Sequence, residues 1–182
     1  MNVYGKKIYL RAMEPDDMEM YRDMINNPDI EKMLGGGWSF PVSRKEQMLW
    51  YDKAVIDKTN LRFTIVIQET QEAVGMVNLV DIDWENGTAF HGIRMNKEKG
   101  KGYGTDAVMA LMRYAFEKLR LVRLDTTIIE YNVISQKMYQ KCGWIIEGKK
   151  KKASFRDGKY FDLFLVGVTD EEYYEVKEKL GY

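Results

Sequence analysis

Three glycines at alternate positions, Gly100, Gly102 and Gly104, stand in the stretch Lys97-Glu98-Lys99-Gly100-Lys101-Gly102-Tyr103-Gly104-Thr105-Asp106. Glycine brings no side chain and costs backbone entropy, so packing does not call for it. It is expected where backbone must come close to something. The stretch joins a strand-like run, Thr88 to Met95, to a helix-like run, Thr105 to Leu119. At a helix start, unpaired N–H groups and the positive end of the dipole favour an anion. The chemistry this predicts is phosphate binding; the alternative is a flexible loop with a glycine cap. A Walker loop is excluded, because Gly100-Lys101 is followed by glycine and no glycine stands five positions earlier. A dinucleotide fingerprint nearly fits Gly100, Gly102 and Thr105, but the stretch follows an antiparallel meander, not the first strand of a parallel sheet.

A second constellation runs from Asn132 to Trp144. Asn132, Ser135 and Tyr139 share one side of a short helix by their three- and four-residue spacing. Ile134, Met138 and Cys142 share the other side, which is expected to face the core. An amide, a hydroxyl and a phenol on one side can bind or donate protons; a solvated helix face is the plainer reading.

The elements that must position these groups follow from periodicity. Lys7 to Met13 reads as a strand. Glu14-Pro15-Asp16-Asp17 opens a helix with Met18, Tyr21, Met24 and Ile25 as its apolar stripe, and Asn26-Asn27-Pro28 stops it. A short helical piece covers Asp29 to Leu34. Ser43 and Glu46 form a capping box for a helix to about Lys58, with Met48, Trp50, Tyr51 and Val55 buried. Strands are expected over 62–68, 73–83 and 88–95, with Asn86-Gly87 as a hairpin turn. The helix after the glycine turn buries Val108, Leu111, Met112, Ala115 and Leu119. A strand over 121–129 completes a right-handed βαβ unit. After the 133–141 helix come strands over 144–155 and 159–168, joined across Asp157-Gly158. Thr169 and Glu172 then cap a last helix. The order β-α-α-β-β-β-α-β-α-β-β-α predicts a single α/β domain, residues 1–182, with a mixed sheet.

Composition narrows the function. Hydrophobic residues make up 45% of the 182, enough for one real core. Lys+Arg and Asp+Glu are both 28, and this neutral balance argues against a general nucleic-acid binder. The sequence shows no signal peptide or membrane-length apolar run, so a cytoplasmic protein without a membrane partner is expected. One cysteine, Cys142, and one histidine, His91, leave no ligand set for a structural metal. Lys149 to Lys152 reads as a guarded strand edge.

The pairing of Lys99-x-x-Gly102-x-Gly104 with Asn132-x-x-Ser135-x-x-x-Tyr139-x-Lys141-x-Gly143-Trp144 resembles the GNAT superfamily of acyl-CoA-dependent N-acyltransferases. The element order resembles it too, over nearly the whole chain. Ala107 to Phe116 and Glu147 to Tyr160 look more narrowly like the branch holding ribosomal-protein N-terminal and spermidine acetyltransferases. The resemblance implies a mostly antiparallel sheet of about seven strands, with a splayed parallel pair in the middle and helices on both faces. It implies acetyl-CoA as co-substrate, no metal, an amine acceptor, and leaves a homo-oligomer open.

Residue by residue, the resemblance assigns the coenzyme to Ile93, Arg94, Met95, Lys99, Gly100, Lys101, Gly102, Tyr103, Gly104, Thr105, Asn132 and Ser135. The turn would hold the pyrophosphate, and strand 88–95 with Asn132 the pantetheine arm. The family usually has Gln or Arg where this chain has Lys99. Tyr139 matches the residue near the thioester sulfur, and a phenol can protonate the departing thiolate. The Ile93–Met95 backbone would supply an oxyanion donor. For the base, His91 is the one side chain with a near-neutral ordinary pKa; the acidic strand end and ordered water are the other choices. Trp38 and Phe40 would wall the acceptor site, and Asp81 and Asp83 would attract a cationic amine. The acceptor is a polyamine, a protein N-terminus or a small amine or amino-sugar. The rival class is a non-catalytic acyl-CoA-binding or sensory module.

Overall fold

The structure, a computed structural model, describes residues 1–34, 40–97 and 100–182. Its strands are β1 (Val3–Tyr4), β2 (Ile8–Ala12), β3 (Leu61–Ile67), β4 (Ala73–Asp83), β5 (Thr88–Met95), β6 (Arg123–Ile129), β7 (Ile145–Arg156) and β8 (Lys159–Thr169). Its helices are α1 (Met18–Asn26), α2 (Pro28–Glu31), α3 (Arg44–Ile56), α4 (Tyr103–Arg113), α5 (Val133–Lys141) and α6 (Asp170–Leu180). The capping boxes at Ser43 and Thr169 both form. A π-helical turn, Tyr114–Lys118, prolongs α4.

The strands make one sheet in the order β1-β2-β3-β4-β5-β6-β8-β7. Among the described residues, eight strands stand where about seven were expected. The extra one is β1, whose two residues pair with Tyr9 and Leu10 and are too few to carry a periodic signal. β7 ends the sheet, so its lysines do lie on an edge strand.

The one parallel contact, between β5 and β6, decides the shape of the site. It holds for three pairs only: Thr88 with Arg123, Ala89 with Leu124, and Phe90 with Asp125. Beyond them β5 stays with β4 as far as Met95 opposite Gly75. β6 stays with β8 as far as Ile129 opposite Leu163. Each strand follows its antiparallel neighbour, and the twist of the two half-sheets draws them apart. His91 and Thr126 are the first residues past the last pair, at the vertex of the opening.

Helices cover both faces. Under α4, Val108, Leu111, Met112 and Ala115 are fully buried in the main core, as their spacing predicts. On the opposite face a smaller cluster joins Met18, Tyr21 and Met24 of α1 to Met13, Ile30, Ala54 and Met76. The α3 reading needs correction: Val55 is exposed, while Gln47 and Ala54 are the fully buried positions. Trp50 and Gln47 face a cavity.

The glycine turn is tied to the far end of the chain by Asp106. Its carboxylate, buried in the first turn of α4, accepts from the backbone N–H of Lys6, Lys7 and Ile8 at 2.8, 2.6 and 3.0 Å. It also accepts from the Tyr182 hydroxyl at 2.6 Å. One side chain thus fixes the β1–β2 turn and the C-terminus against the start of α4.

Candidate active site

A cavity of about 890 Å³ fills the opening between β5 and β6 and extends beneath α1, α2 and α3. One end meets the glycine turn. Gly100 and Gly102 both have φ +85, the left-handed region that glycine enters without strain. The first helical bond there runs from the Asp106 N–H to the Gly102 carbonyl at 3.0 Å. The amides of residues 103–105 therefore have no partner within the helix and point out of its start. Gly100, Gly102, Tyr103, Gly104 and Thr105 line this end, with Ile93 and Met95 of β5 beside them, whereas the Arg94 side chain lies on the opposite face of the strand, across from Met76. Lys101 is exposed, and Lys99 lies outside the described residues.

At the vertex sits Tyr139. It is 4% exposed, and its hydroxyl lies 3.3 Å from His91 Nδ1. Trp144 closes the group, with its ring edge-on to those of His91 and Tyr139 at 5.3 and 4.9 Å. Burial pushes the Tyr139 phenol above its ordinary pKa, and the neighbouring Thr126 hydroxyl pulls back. The phenol thus touches one group from each of the diverging strands, His91 of β5 and Thr126 of β6. Thr126 was not singled out in the sequence, where the pair Thr126-Thr127 in a β-rich run reads only as strand.

The α5 helix buries residues from both of its expected sides: Cys142 and Met138 pack on the core as expected, but so does Tyr139 of the polar side. Tyr139 is buried, whereas Ile134, assigned to the core, is 75% exposed. Sequence periodicity groups residues by side but does not say which side faces inward. Here the polar side covers the vertex of the sheet, and Ile134 sits at the cavity rim. Cys142 is buried as expected, its thiol pushed up to about 12 by burial.

His91 does not stand where a base for the acceptor would. It is fully buried against Tyr139 and Trp144, and burial lowers its pKa to about 4. An imidazole held neutral that strongly is a poor proton acceptor for an ammonium group. Among the described residues, its Nε2 has no hydrogen-bond partner.

Asn132 caps α5, its Oδ1 accepting from the Ser135 N–H at 3.1 Å. Its Nδ2 donates to the Met33 carbonyl at 2.8 Å. The flanking carbonyls are held too: Lys32 by the Tyr131 hydroxyl, Leu34 by Arg156 at 3.4 Å. Three successive carbonyls thus strap the segment after α2 across the opening, where Met33 and Leu34 wall the cavity with Asn132 and Ser135. This strap has no sign in the sequence, because backbone carbonyls carry no residue signature.

Of the expected acceptor residues, the three that are described, Phe40, Asp81 and Asp83, are not brought to the cavity. Phe40 is exposed and not among its walls, and Trp38 lies outside the described residues. Asp83 turns into the hairpin, where its carboxylate accepts from the N–H groups of Glu85 and Asn86 and from the Asn86 amide. Asp81 sits at a register shift with φ 51 and is exposed. Trp50, Tyr21, Asn78 and Arg94 line the cavity instead.

Residues 7–145 match the family model described as the acetyltransferase (GNAT) domain. The chain belongs to the GNAT acetyltransferase family. It is by family an acyl-CoA-dependent N-acyltransferase. It is 28% identical over 170 residues to the SPbeta prophage-derived uncharacterized N-acetyltransferase YokL of Bacillus subtilis, covering 93% of each chain. It is 25% identical over 176 residues to the putative ribosomal N-acetyltransferase YdaF of the same organism, covering 93% of this chain and 94% of that one. Among solved structures, the spermidine N-acetyltransferase of Vibrio cholerae in complex with CoA and spermine superposes with a TM-score of 0.84 at 24% identity. That match covers 92% of this chain and 98% of the other and shows the shared GNAT fold. Among the described residues, no helix is long and apolar enough to cross a membrane, and no group of three or more His, Cys, Asp or Glu could hold a metal ion.

Proposed function

We propose that this GNAT protein transfers the acetyl group of acetyl-CoA to a primary amine by direct attack, with Tyr139 as general acid. The observation that carries the reading is the position of the Tyr139 hydroxyl, at the vertex where β5 and β6 part and open to the cavity. The residues present fit the co-substrate. Left-handed Gly100 and Gly102 and the free amides at the start of α4 suit a pyrophosphate. The opening between the strands suits an extended arm, since each strand edge there has backbone groups that the other strand does not pair. Ser135, Asn132 and the 93–95 backbone line that route.

Tyr139 would give its proton to the departing thiolate. Burial keeps the phenol protonated, so the acid form is available through the neutral range. His91 would act as a positioning residue. A buried unpaired N–H is rarer and costlier than a buried unpaired acceptor, which assigns the imidazole proton to Nδ1 and leaves Nε2 bare. Nδ1–H then donates to the phenol oxygen and leaves the phenol hydrogen free for the thiolate. Backbone N–H groups of residues 93–95 would steady the oxyanion. The amine would reach the site neutral, its proton passed to water.

Amine-dependent thiol release tests the reading. Direct attack predicts no thiol burst and no mass gain on the enzyme when acetyl-CoA is present without amine. A stable acetyl-enzyme would point to a covalent route, and acetyl-CoA binding without turnover on any amine would favour the non-catalytic module.

A further inference from the structure

The acceptor half of the cavity holds a cation that has no anion of its own among the described residues. Met95 packs toward α4, its Cγ 3.9 Å from where a Cβ on Gly104 would lie. Side chains alternate along a strand, so Arg94 points to the other face, beneath α1 and α2. Its cross-strand neighbour there is Met76, a member of the small core cluster with Tyr21 and Met24. Among the described residues no hydrogen bond or ion pair holds the Arg94 guanidinium. Glu31, the carboxylate whose charge acts on it, is drawn instead toward Arg156 at 3.5 Å.

The other charges around it are matched. Arg62 is paired with Asp57 at 3.0 Å and lies over the Trp50 ring. Asp29 lines the same wall but is paired with Lys32 at 2.5 Å. A half-buried arginine without a partner is costly unless something else completes it. Its planar fork suits a carboxylate held by two bonds. This wall would repel a polyamine, whose charges are all positive.

We infer that Arg94 receives a carboxylate carried by the acceptor, so that the substrate is an amino-carboxylate compound and not a polyamine. The inference rests on the transferase reading above and names its acceptor class. The carboxylate docks on Arg94, on the α1–α2 side of β5. The amine is left free to approach the vertex at Tyr139, three residues back along the strand, about 10 Å of backbone. Binding the carboxylate also neutralises the site, which favours the uncharged form of the attacking amine less than a bare cation does. This sets the balance between affinity and reactivity that the acceptor's own amine pKa must meet.

The test is acetyl-CoA turnover on matched acceptors: glutamate and γ-aminobutyrate, their amides, phosphoethanolamine, ethanolamine and spermidine. The carboxylates should exceed their amides and spermidine in kcat/KM by about tenfold or more. Arg94→Gln should erase that preference mainly through the acceptor KM, and Arg94→Lys should restore part of it. The KM for acetyl-CoA and the unfolding midpoint should not change. Spermidine as the best acceptor, or a carboxylate preference that survives Arg94→Gln, overturns the inference. So does a raised acetyl-CoA KM with unchanged acceptor choice, which would make Arg94 a coenzyme contact. A preference for phosphoethanolamine over every carboxylate overturns the choice of anion. Turnover with no anion dependence leaves the transferase reading intact while sinking this one; no turnover on any amine sinks both.

Discussion

The hydroxyl of Tyr139 lies 3.3 Å from Nδ1 of His91, and both rings stand edge-on to Trp144. The contact joins the short helix α5 to strand β5 at the residue where β5 leaves β6. It makes the histidine a partner of the phenol, buried and neutral, and it has a consequence for stability.

His91 should make the fold sensitive to mild acid. Its pKa is lowered from 6.5 to about 4 by burial. The unfolded chain therefore binds the proton more readily than the folded one between these values. Stability is full above pH 6.5 and falls as the pH drops toward 4, by roughly 3 kcal/mol over the whole window. Urea unfolding midpoints measured across this range should fall more steeply for the natural protein than for His91→Gln. Parallel curves would mean that the imidazole charges freely in the folded state.

Asp106→Ala should be among the most destabilising single changes in the chain. It strands three backbone N–H groups and the Tyr182 hydroxyl, all served by one carboxylate. The expected loss is about 3 kcal/mol or more, since hydrogen bonds to a charged group are strong and their orphaned donors are costly. Asp106→Asn keeps one acceptor oxygen and should lose less. Equilibrium denaturation ranks the two; equal losses would mean that the charge adds nothing.

Asn132 offers a way to separate the helix cap from the strap. Asn132→Ala removes both the bond from the Ser135 N–H and the bond to the Met33 carbonyl, and should cost roughly 1–2 kcal/mol. Asn132→Asp keeps the cap but sets a carboxylate oxygen against the Met33 carbonyl. Its unfolding midpoint should fall through loss of the strap bond alone, while the acceptor KM rises, because Met33 and Leu34 wall the cavity. An unchanged KM would show that the strap does not shape the acceptor site.

The parts of this molecule that could be read from its sequence are those with a local physical signature. Left-handed glycines, capping boxes and the stripe of α4 follow from rules that act within a few residues. Tyr139 could be found because its spacing from Asn132 and from the glycine turn is itself a pattern. What could not be read depends on the tertiary arrangement. The inward turn of α5, which buries Tyr139 and exposes Ile134, is set by the opening of the sheet. Asp81 and Asp83 alternate as though on one face, but a register shift and a hairpin turn take them from the cavity. Thr126 gains its place only because the parallel pairing stops at Asp125. Arg94 sits in a strand whose sequence does not say which face meets the cavity beneath α1 and α2.

The most direct test of the central claim is the turnover of Tyr139→Phe. The ring and its packing against His91 and Trp144 are kept, and only the proton donor is removed. With acetyl-CoA binding verified by thermal shift, amine-dependent thiol release should show kcat reduced roughly a hundredfold or more. A kcat within about twofold of the natural enzyme would contradict the assignment of Tyr139 as the acid that protonates the thiolate.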